Sequence, residues 1–597
     1  MELPSHLFPL WNVQTELSRE QFQTFQAAGI EALHAQLLHN RGILTPEAML
    51  SYIAANYTDI PDPQGLIDMD RAVERIRQAL EGKEHITVYG DYDADGVTSS
   101  ALLMRALRTL NASNAPLDFY IPSRISEGCG LNLNALHLLK ERGTSLIITT
   151  DCGSSDVEQV KEAQKLGIDV IITDHHQPPA ILPDAYAMIN PWRKECTYGE
   201  CYLCGVGVAF KLAQALYRAA GRSLEDEMAL LDLVAIGTIA DIVPLLGENH
   251  TLVRLGLQRL NQTQKPGLVA LIQKANLVAG NIRERDIAYG LSPRINAAGR
   301  MKDAGIAFEL LTTDDPAEAA QYVEQLEELN QQRQQQTEEL MQTVRQEARY
   351  HPNDQVILVS GKDWPEGIIG LVAGKLSEEL HRPVLVLSKG SEFSRASARG
   401  PKGFNIIAAL RARAEIFVRY GGHAQAAGFT IANERIDALH EHLLAWSDQD
   451  EPNSATVTID DTIEVPEPEQ ETLFRNTAQM IDIVFTRLEK LNYSTYKKIR
   501  ELGPFGAANP EPVFLMNGLT VLSSRISGME GRNLRLLLGD GTSKRWGTLV
   551  RGKERLSEFP VGQKVSIVFR LEGSWNANGT DGKQDTWLKL LEVEAEK

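Results

Sequence analysis

The sequence predicts an α/β protein in which two α/β units are joined by a long helix and followed by a small β-barrel. Three observations carry this. Short runs rich in β-branched residues, His85–Tyr89 (HITVY), Leu146–Thr150 (LIITT) and Val170–Thr173 (VIIT), alternate with helical stretches, as buried parallel strands do. Pro316–Tyr350 is rich in Glu, Gln and Ala and lacks Gly and internal Pro, the pattern of one long, mostly polar helix. Beyond residue 454, short alternating segments (TVTIDDTIEV, FLMNGLTVLSSRI, LRLLLGDG, RWGTLV, KVSIVFRLE, TWLKLLEVE) are separated by Gly, Asp and Asn turns.

Taken in order, residues 1–82 read as an amphipathic helical segment with a break at Ile60-Pro61-Asp62-Pro63. Residues 83–315 form the first α/β unit, and 316–350 the connecting helix. Residues 351–450 form the second unit, with strands near Val356–Ser360 and Val384–Ser388 and a helix around Gly367–Leu380. A polar linker, DQDEPN, precedes the barrel over 454–597. A chain of 597 residues exceeds one hydrophobic core, so several domains are expected. No internal repeat of solenoid period is present.

Composition narrows the function classes. A net charge of −19 argues against coating nucleic acid through bulk charge. Residues 503–574 nevertheless hold ten Lys/Arg against six Asp/Glu, so the barrel region is locally basic. No run of about 18 apolar residues occurs, which predicts no membrane helix. The opening MELPSHLFPLW lacks the pattern of a secretory signal, and five cysteines suit a reducing cytoplasm better than a disulfide scaffold.

Four Asp/His clusters, all before residue 245, carry the chemistry. Gly90-Asp91-Tyr92-Asp93-Ala94-Asp95-Gly96 follows the HITVY strand and crowds three carboxylates into a small volume, which hard divalent cations relieve. Its strand–turn–helix setting differs from the helix–loop–helix of an EF-hand. Thr150-Asp151-Cys152-Gly153 and Thr173-Asp174-His175-His176 stand at the next two strand ends, where ligands collect in such sheets. Asp151 alone reads equally as a helix cap, and a lone His as structural; two His beside an Asp are a stronger signal. Asp241 lies in the apolar stretch LLDLVAIGTIADIVPLL, where a carboxylate needs a cation or a strong donor. The set suffices for two cations a few Å apart, and carboxylate dominance favours Mn²⁺ or Mg²⁺ over Zn²⁺. Cys201-x-x-Cys204 has no second pair and is not read as a zinc site.

The order GDYDADG, TDCG, TDHH, ADIVPL resembles the DHH phosphoesterase superfamily. Within it, Ser292–Met301 (SPRINAAGRM), Trp364–Gly370 (WPEGIIG), Ser397–Gly400 (SARG), Gly421–Gly428 (GGHAQAAG) and Gly503–Pro512 (GPFGAANPEP) are similar to the RecJ family of single-strand-specific 5′→3′ DNA exonucleases. The resemblance spans roughly residues 80 to 540. It implies DHH and DHHA1 domains followed by an OB-like, nucleic-acid-binding barrel. It implies two divalent cations, Mn²⁺ or Mg²⁺, held by Asp93, Asp95, Asp151, His175 and Asp241. Asp91, Asp174 and His176 would support them in catalysis, with His176 facing the scissile phosphate. Arg294, Ser397, Arg399 and His423 would bind the DNA end. The implied role is degradation of single-stranded DNA to mononucleotides in DNA repair and recombination, by a cytoplasmic monomer served by a helicase and a single-strand-binding protein. Of the barrel aromatics, Phe505, Trp546, Phe569 and Trp575 are candidates to stack on bases.

Two departures stand out: Pro365 where the family often has His, and Cys129 where Tyr is usual. An oligoribonuclease, nucleotide phosphatase or pyrophosphatase of the same superfamily is the enzymatic alternative, and the basic barrel argues against it. A catalytically inactive DNA-binding relative is the other, and the complete set of carboxylates argues against that.

Overall fold

The computed structural model describes residues 11–199, 202–349, 354–401, 403–447, 479–528, 531–575 and 584–596, excepting the side chains of Gln479, Ser574, Trp575 and Gln584. The chain forms two compact units. One comprises Asp62–Asp241 and Gln258–Glu464; the other comprises Met1–Pro61, Ile242–Leu257 and Val465–Lys597.

The first unit holds two sheets. The one expected from the β-branched runs is fully parallel, in the order Leu117–Tyr120, His85–Gly90, Thr144–Thr150, Asp169–Thr173, Ala187–Ile189. Alternate residues face opposite sides, and both sets (Tyr89, Ile147, Ile172 and Val88, Ile148, Ile171) are completely buried. That is why the strands read as continuous apolar runs. The second sheet is mixed: Ile357–Lys362 and Val384–Lys389 are parallel, and Phe393–Arg399, Ala426–Ala432 and Phe417–His423 follow antiparallel.

The long helix runs Pro316–Ala348. It is mostly polar, as expected, with Val323, Leu326, Leu340, Met341 and Val344 forming a buried stripe at helical spacing. The last three join Ile357, Val359, Ile368 and Val372 in the core beneath the second sheet.

In the other unit, Phe514–Ser527, Asn533–Gly539, Lys544–Leu549, Gln584–Ala595 and Lys564–Trp575 close into a five-stranded barrel, since the first strand also pairs with the last named. The expected boundary at residue 82 does not match the packing. Phe25, Leu37, Leu38 and Met49, on helices Arg19–Ala27, Ala32–His39 and Pro46–Ala54, share one core with Phe514, Leu536, Ile567 and Phe569 of the barrel. The helix Met69–Glu81 belongs to the first unit instead.

Candidate metal centre and strand-binding surface

Strand register builds the site. Gly90 pairs with Thr150, and Thr150 with Thr173, so three strands end in one row. The following residues, Asp91, Asp151 and Asp174, become neighbours. They sit where the strand order reverses direction, between His85–Gly90 and Thr144–Thr150, which is the ligand crevice of an open parallel sheet.

Local chemistry then aims each carboxylate. Asp93 caps the Ala94–Leu110 helix, its Oδ1 accepting from the N–H groups of Asp95 (2.9 Å) and Gly96 (3.1 Å). Asp95 meets the N-terminus of the Gly205–Ala219 helix, accepting from Gly205 N–H at 2.7 Å and Val206 N–H at 2.9 Å. Asp241 immediately follows the buried Leu231–Ala240 helix. Asp151 adopts a left-handed φ of 63°, an uncommon conformation for a residue with a Cβ. Glycine is needed opposite it: a Cβ on Gly205 would lie 2.5 Å from Asp151 Cβ.

The predicted ligands converge. His175 Nε2 lies 3.1 Å from Asp151 Oδ1, 3.7 Å from Asp241 Oδ2 and 3.9 Å from Asp95 Oδ2. Three sets have ligand atoms within 4.8 Å of one another: Asp91/Asp93/Asp151, Asp95/His175/Asp241 and Asp151/His175/His176. Asp91, expected as support, thus lies beside Asp93 and Asp151 in a group that could hold a cation. Asp174 does the reverse. Its Oδ1 accepts from His175 N–H (2.7 Å), His176 N–H (3.1 Å) and His176 Nδ1 (2.8 Å), and its Oδ2 from Ser154 N–H (2.9 Å). It orients His176 and has little left for a cation.

The donor set fits divalent cations. Asp91 Oδ1 and Asp151 Oδ1 are buried without a hydrogen-bond partner among the described residues, an unfavourable state unless a cation meets them. Burial, then the charge of Asp93, pushes the carboxyls of Asp91 and Asp95 up to about 7. Burial and Asp95 push Asp241 up to about 8 and Asp151 well above the ordinary range. Burial, then His176, lowers His175 to about 4, keeping its imidazole neutral and able to ligate. Burial opposes the His176 cation, but the hydrogen bond with Asp174 outweighs it and holds His176 up to about 9.

A cationic surface faces this centre. Ser397 and Arg399 lie on one strand, Arg399 Nη1 donating to Ser397 Oγ at 2.9 Å. Pairing places His423, Ala426 and Arg399 in one row across three strands. His423 acts on the charge of His175. Arg294 does not take its expected place: its Nε donates to Glu327 at 2.7 Å and its Nη1 to Gly290 O at 2.8 Å, clamping its helix to the long one.

Two arginines were not singled out in the sequence. Arg124 lies over the Tyr92 ring at 4.8 Å and acts on Asp91. Burial, then Arg124, lowers the Arg300 guanidinium to about 9, while Asp93 opposes the shift. Arg300 sits inside the SPRINAAGRM motif and Arg124 five residues before Cys129, but only folding brings their charges together. The SPRINAAGRM helix also supports the metal loop, Asn296 Oδ1 accepting from Ala94 N–H at 2.9 Å. In the barrel, Phe569 is fully buried and Phe505 nearly so, leaving Trp546 half-exposed. Arg525 and Arg535 lie 4.5 and 4.6 Å from its ring centroid. The side chain of Trp575 and the residue Cys201 lie outside the described residues.

Family models described as the DHH family N-terminal domain, the DHHA1 domain and the RecJ OB domain match residues 85–238, 353–448 and 481–580. The single-stranded-DNA-specific exonuclease RecJ of Bacillus subtilis (strain 168) is 36% identical over 574 residues, covering 95% of this chain and 69% of that protein. That of Escherichia coli (strain K12) is 33% identical, covering 76% and 78%. The chain belongs to the RecJ family. The crystal structure of RecJ from Thermus thermophilus in complex with Mn²⁺ superposes with a TM-score of 0.79 at 26% identity, covering 98% of this chain and 80% of that one. The Mg²⁺ complex gives 0.73 at the same identity, covering 98% and 78%. The family's DHH, DHHA1 and OB domains correspond to the parallel sheet, the mixed sheet and the closed barrel. Among the described residues no helix is long and apolar enough to cross a membrane.

Proposed function

We propose that this RecJ-family chain is a metal-dependent exonuclease that degrades single-stranded DNA from the 5′ end to mononucleotides, in DNA repair and recombination. One observation carries the reading: a buried carboxylate cluster with two orphaned oxygens lies within the electrostatic reach of Arg124 and Arg300, with His423 acting on the neighbouring His175. Carboxylates alone would repel a polyanion. Opposed to arginines, they hold cations while the arginines hold phosphate.

Two divalent cations, Mn²⁺ or Mg²⁺, would supply activation of a water near neutral pH and charge neutralisation at the phosphate. Asp91 and Asp93 would hold one, and Asp95, His175 and Asp241 the other. Asp151, which belongs to a candidate ligand set with Asp91 and Asp93 and lies 3.1 Å from His175, would be the carboxylate shared between them. Asp174 fixes Nδ1 of His176 and so presents Nε2 to the scissile phosphate, where a proton can pass to the leaving oxygen. Arg124, Ser397, Arg399 and His423 take the phosphate of the strand end, and Arg300 adds a positive charge within reach of Asp93. In the barrel, Trp546 between Arg525 and Arg535 offers a base a stacking surface. A groove too narrow for a duplex accounts for single-strand selectivity. The chain works as a cytoplasmic monomer on strands exposed by a helicase and kept open by a single-strand-binding protein.

The test is degradation of 5′- and 3′-labelled single-stranded and duplex DNA with Mn²⁺, Mg²⁺ or EDTA. Mononucleotides should appear from the 5′ end of single strands only, and EDTA should stop the reaction. Activity persisting in excess EDTA, or preferential attack from the 3′ end, would overturn it.

A further inference from the structure

The second sheet carries a feature beyond the strand-end residues. On the face that bears Arg399, pairing sets three cross-strand rows: His423–Ala426–Arg399, Gly421–Gly428–Ser397 and Arg419–Thr430–Arg395. The middle strand contributes only Ala, Gly and Thr, so the lane has a low floor, with Arg399 and Arg395 on one side and Arg419 on the other. Alternate residues advance about 6.6 Å along a strand, which puts Arg395 about 13 Å beyond Arg399.

At that end the lane opens into a cavity of about 440 Å³. This is within the range of small-molecule sites. Trp364 and Phe393 give it aromatic surface, and Lys389 and Arg395 give it positive charge; Asp363 and Glu366 line it as well. The indole is fixed in place. A Cβ on Gly361 would lie 2.1 Å from Trp364 Cε2, so only glycine lets the ring lie flat there, and Ser388 Oγ holds the Trp364 carbonyl at 2.6 Å. Phe393 is 49% exposed, unusual for a phenyl ring without a covering partner. Glu366 neutralises Arg395 at 2.6 Å, whereas the Lys389 ammonium has no ion pair among the described residues.

We infer that this cavity is a nucleotide subsite: the base lies against Trp364 and Phe393, the phosphate meets Lys389, and Asp363 accepts from the sugar or base. Its ligand is one nucleoside monophosphate unit, either joined to the strand end beyond the 5′ phosphate or free in solution. The inference rests on the proposed reading of Ser397 and Arg399 as the strand-end phosphate site, because the lane then leads outward from the cleaved nucleotide. Aromatic stacking together with one unpaired cation suits a nucleotide better than a bare phosphate or an apolar molecule.

The test uses the full chain. Equilibrium dialysis against radiolabelled dAMP, with EDTA so that the metal centre holds no phosphate, should show binding that Lys389→Glu and Phe393→Ala each weaken about tenfold. Both variants should keep the thermal midpoint and the rate on 5′-phosphorylated single strands. Two further arms separate the sources. If the unit is joined to the strand, the variants lose about tenfold in rate only on strands carrying a 5′-adenylyl pyrophosphate. If it is free, they instead raise the dAMP inhibition constant about tenfold and treat both strands alike. No dAMP binding by the unaltered chain, or equal binding by all three proteins, overturns the inference. A chain inactive on every strand would sink the catalytic reading, while the dialysis still reports on the cavity.

Discussion

At the scale of single residues, the centre is a balance between burial and charge. Asp151 combines a left-handed backbone, an orphaned buried oxygen and contact with His175. Asp151→Ala should cut turnover by at least about 10⁴-fold and leave binding of single-stranded DNA within a few-fold, checked by single-turnover kinetics and fluorescence anisotropy. The raised carboxyls give a linkage prediction. Their folded values, about 7 for Asp91 and Asp95 and about 8 for Asp241, exceed the 3.8 of an ordinary aspartate. Stability from these groups is therefore full below pH 4 and is lost as pH rises through 7 to 8. The metal-free protein should lose thermal stability across that interval, and the stabilisation given by Mn²⁺ should grow with pH as bound protons are displaced. Calorimetry with and without Mn²⁺ from pH 6 to 8.5 checks this; a pH-independent difference would refute it. Arg399→Ala should raise KM about tenfold on 5′-phosphorylated strands with little change in kcat, and leave 5′-hydroxyl strands nearly unaffected.

Among the elements, glycines mark where helices must approach closely. Gly367 lies in the first turn of the Glu366–Leu380 helix, and a Cβ there would lie 2.0 Å from Arg300 O. The WPEGIIG motif is thus a packing requirement as well as a sequence signature: it brings the second sheet's helix against the helix carrying Arg300. Gly367→Ala should destabilise the unit by roughly 1–3 kcal/mol through overpacking and weaken DNA binding more than metal binding. Denaturant titration and isothermal titration with Mn²⁺ would separate the two. Pro365, where the family often has His, takes an ordinary extended conformation before that helix, φ −62° and ψ 112°.

Across the molecule, the two ends of the chain share a core. Phe25, Leu37, Leu38 and Met49 pack with the barrel interior, so the N-terminal helices are part of the barrel unit's stability. A chain lacking residues 1–61 should lose the cooperative unfolding of that unit while the other still binds Mn²⁺. Pulse proteolysis with fragment mapping reads this; a barrel as resistant as in the full chain would contradict it.

The parallel sheet, the four clusters at its strand ends and the family were all legible in the order of the amino acids. Those features are local: β-branched runs fix strands, and an Asp or His placed just past a strand end keeps its address in any register that buries both faces. The motifs and the family resemblance they carry also sufficed to gather Asp93, Asp95, Asp151, His175 and Asp241. What each group faces was settled only by packing. Folding set Asp174 against backbone donors, drew Asp91 beside Asp93 and Asp151, tied Arg294 to Glu327, and brought Arg124 and Arg300 to the carboxylates. It also merged residues 1–61 with the barrel. The reason is common to all of these. Burial and the charge of distant neighbours are properties of packing between elements, and an aspartate reads the same in sequence whether a cation or a peptide N–H awaits it.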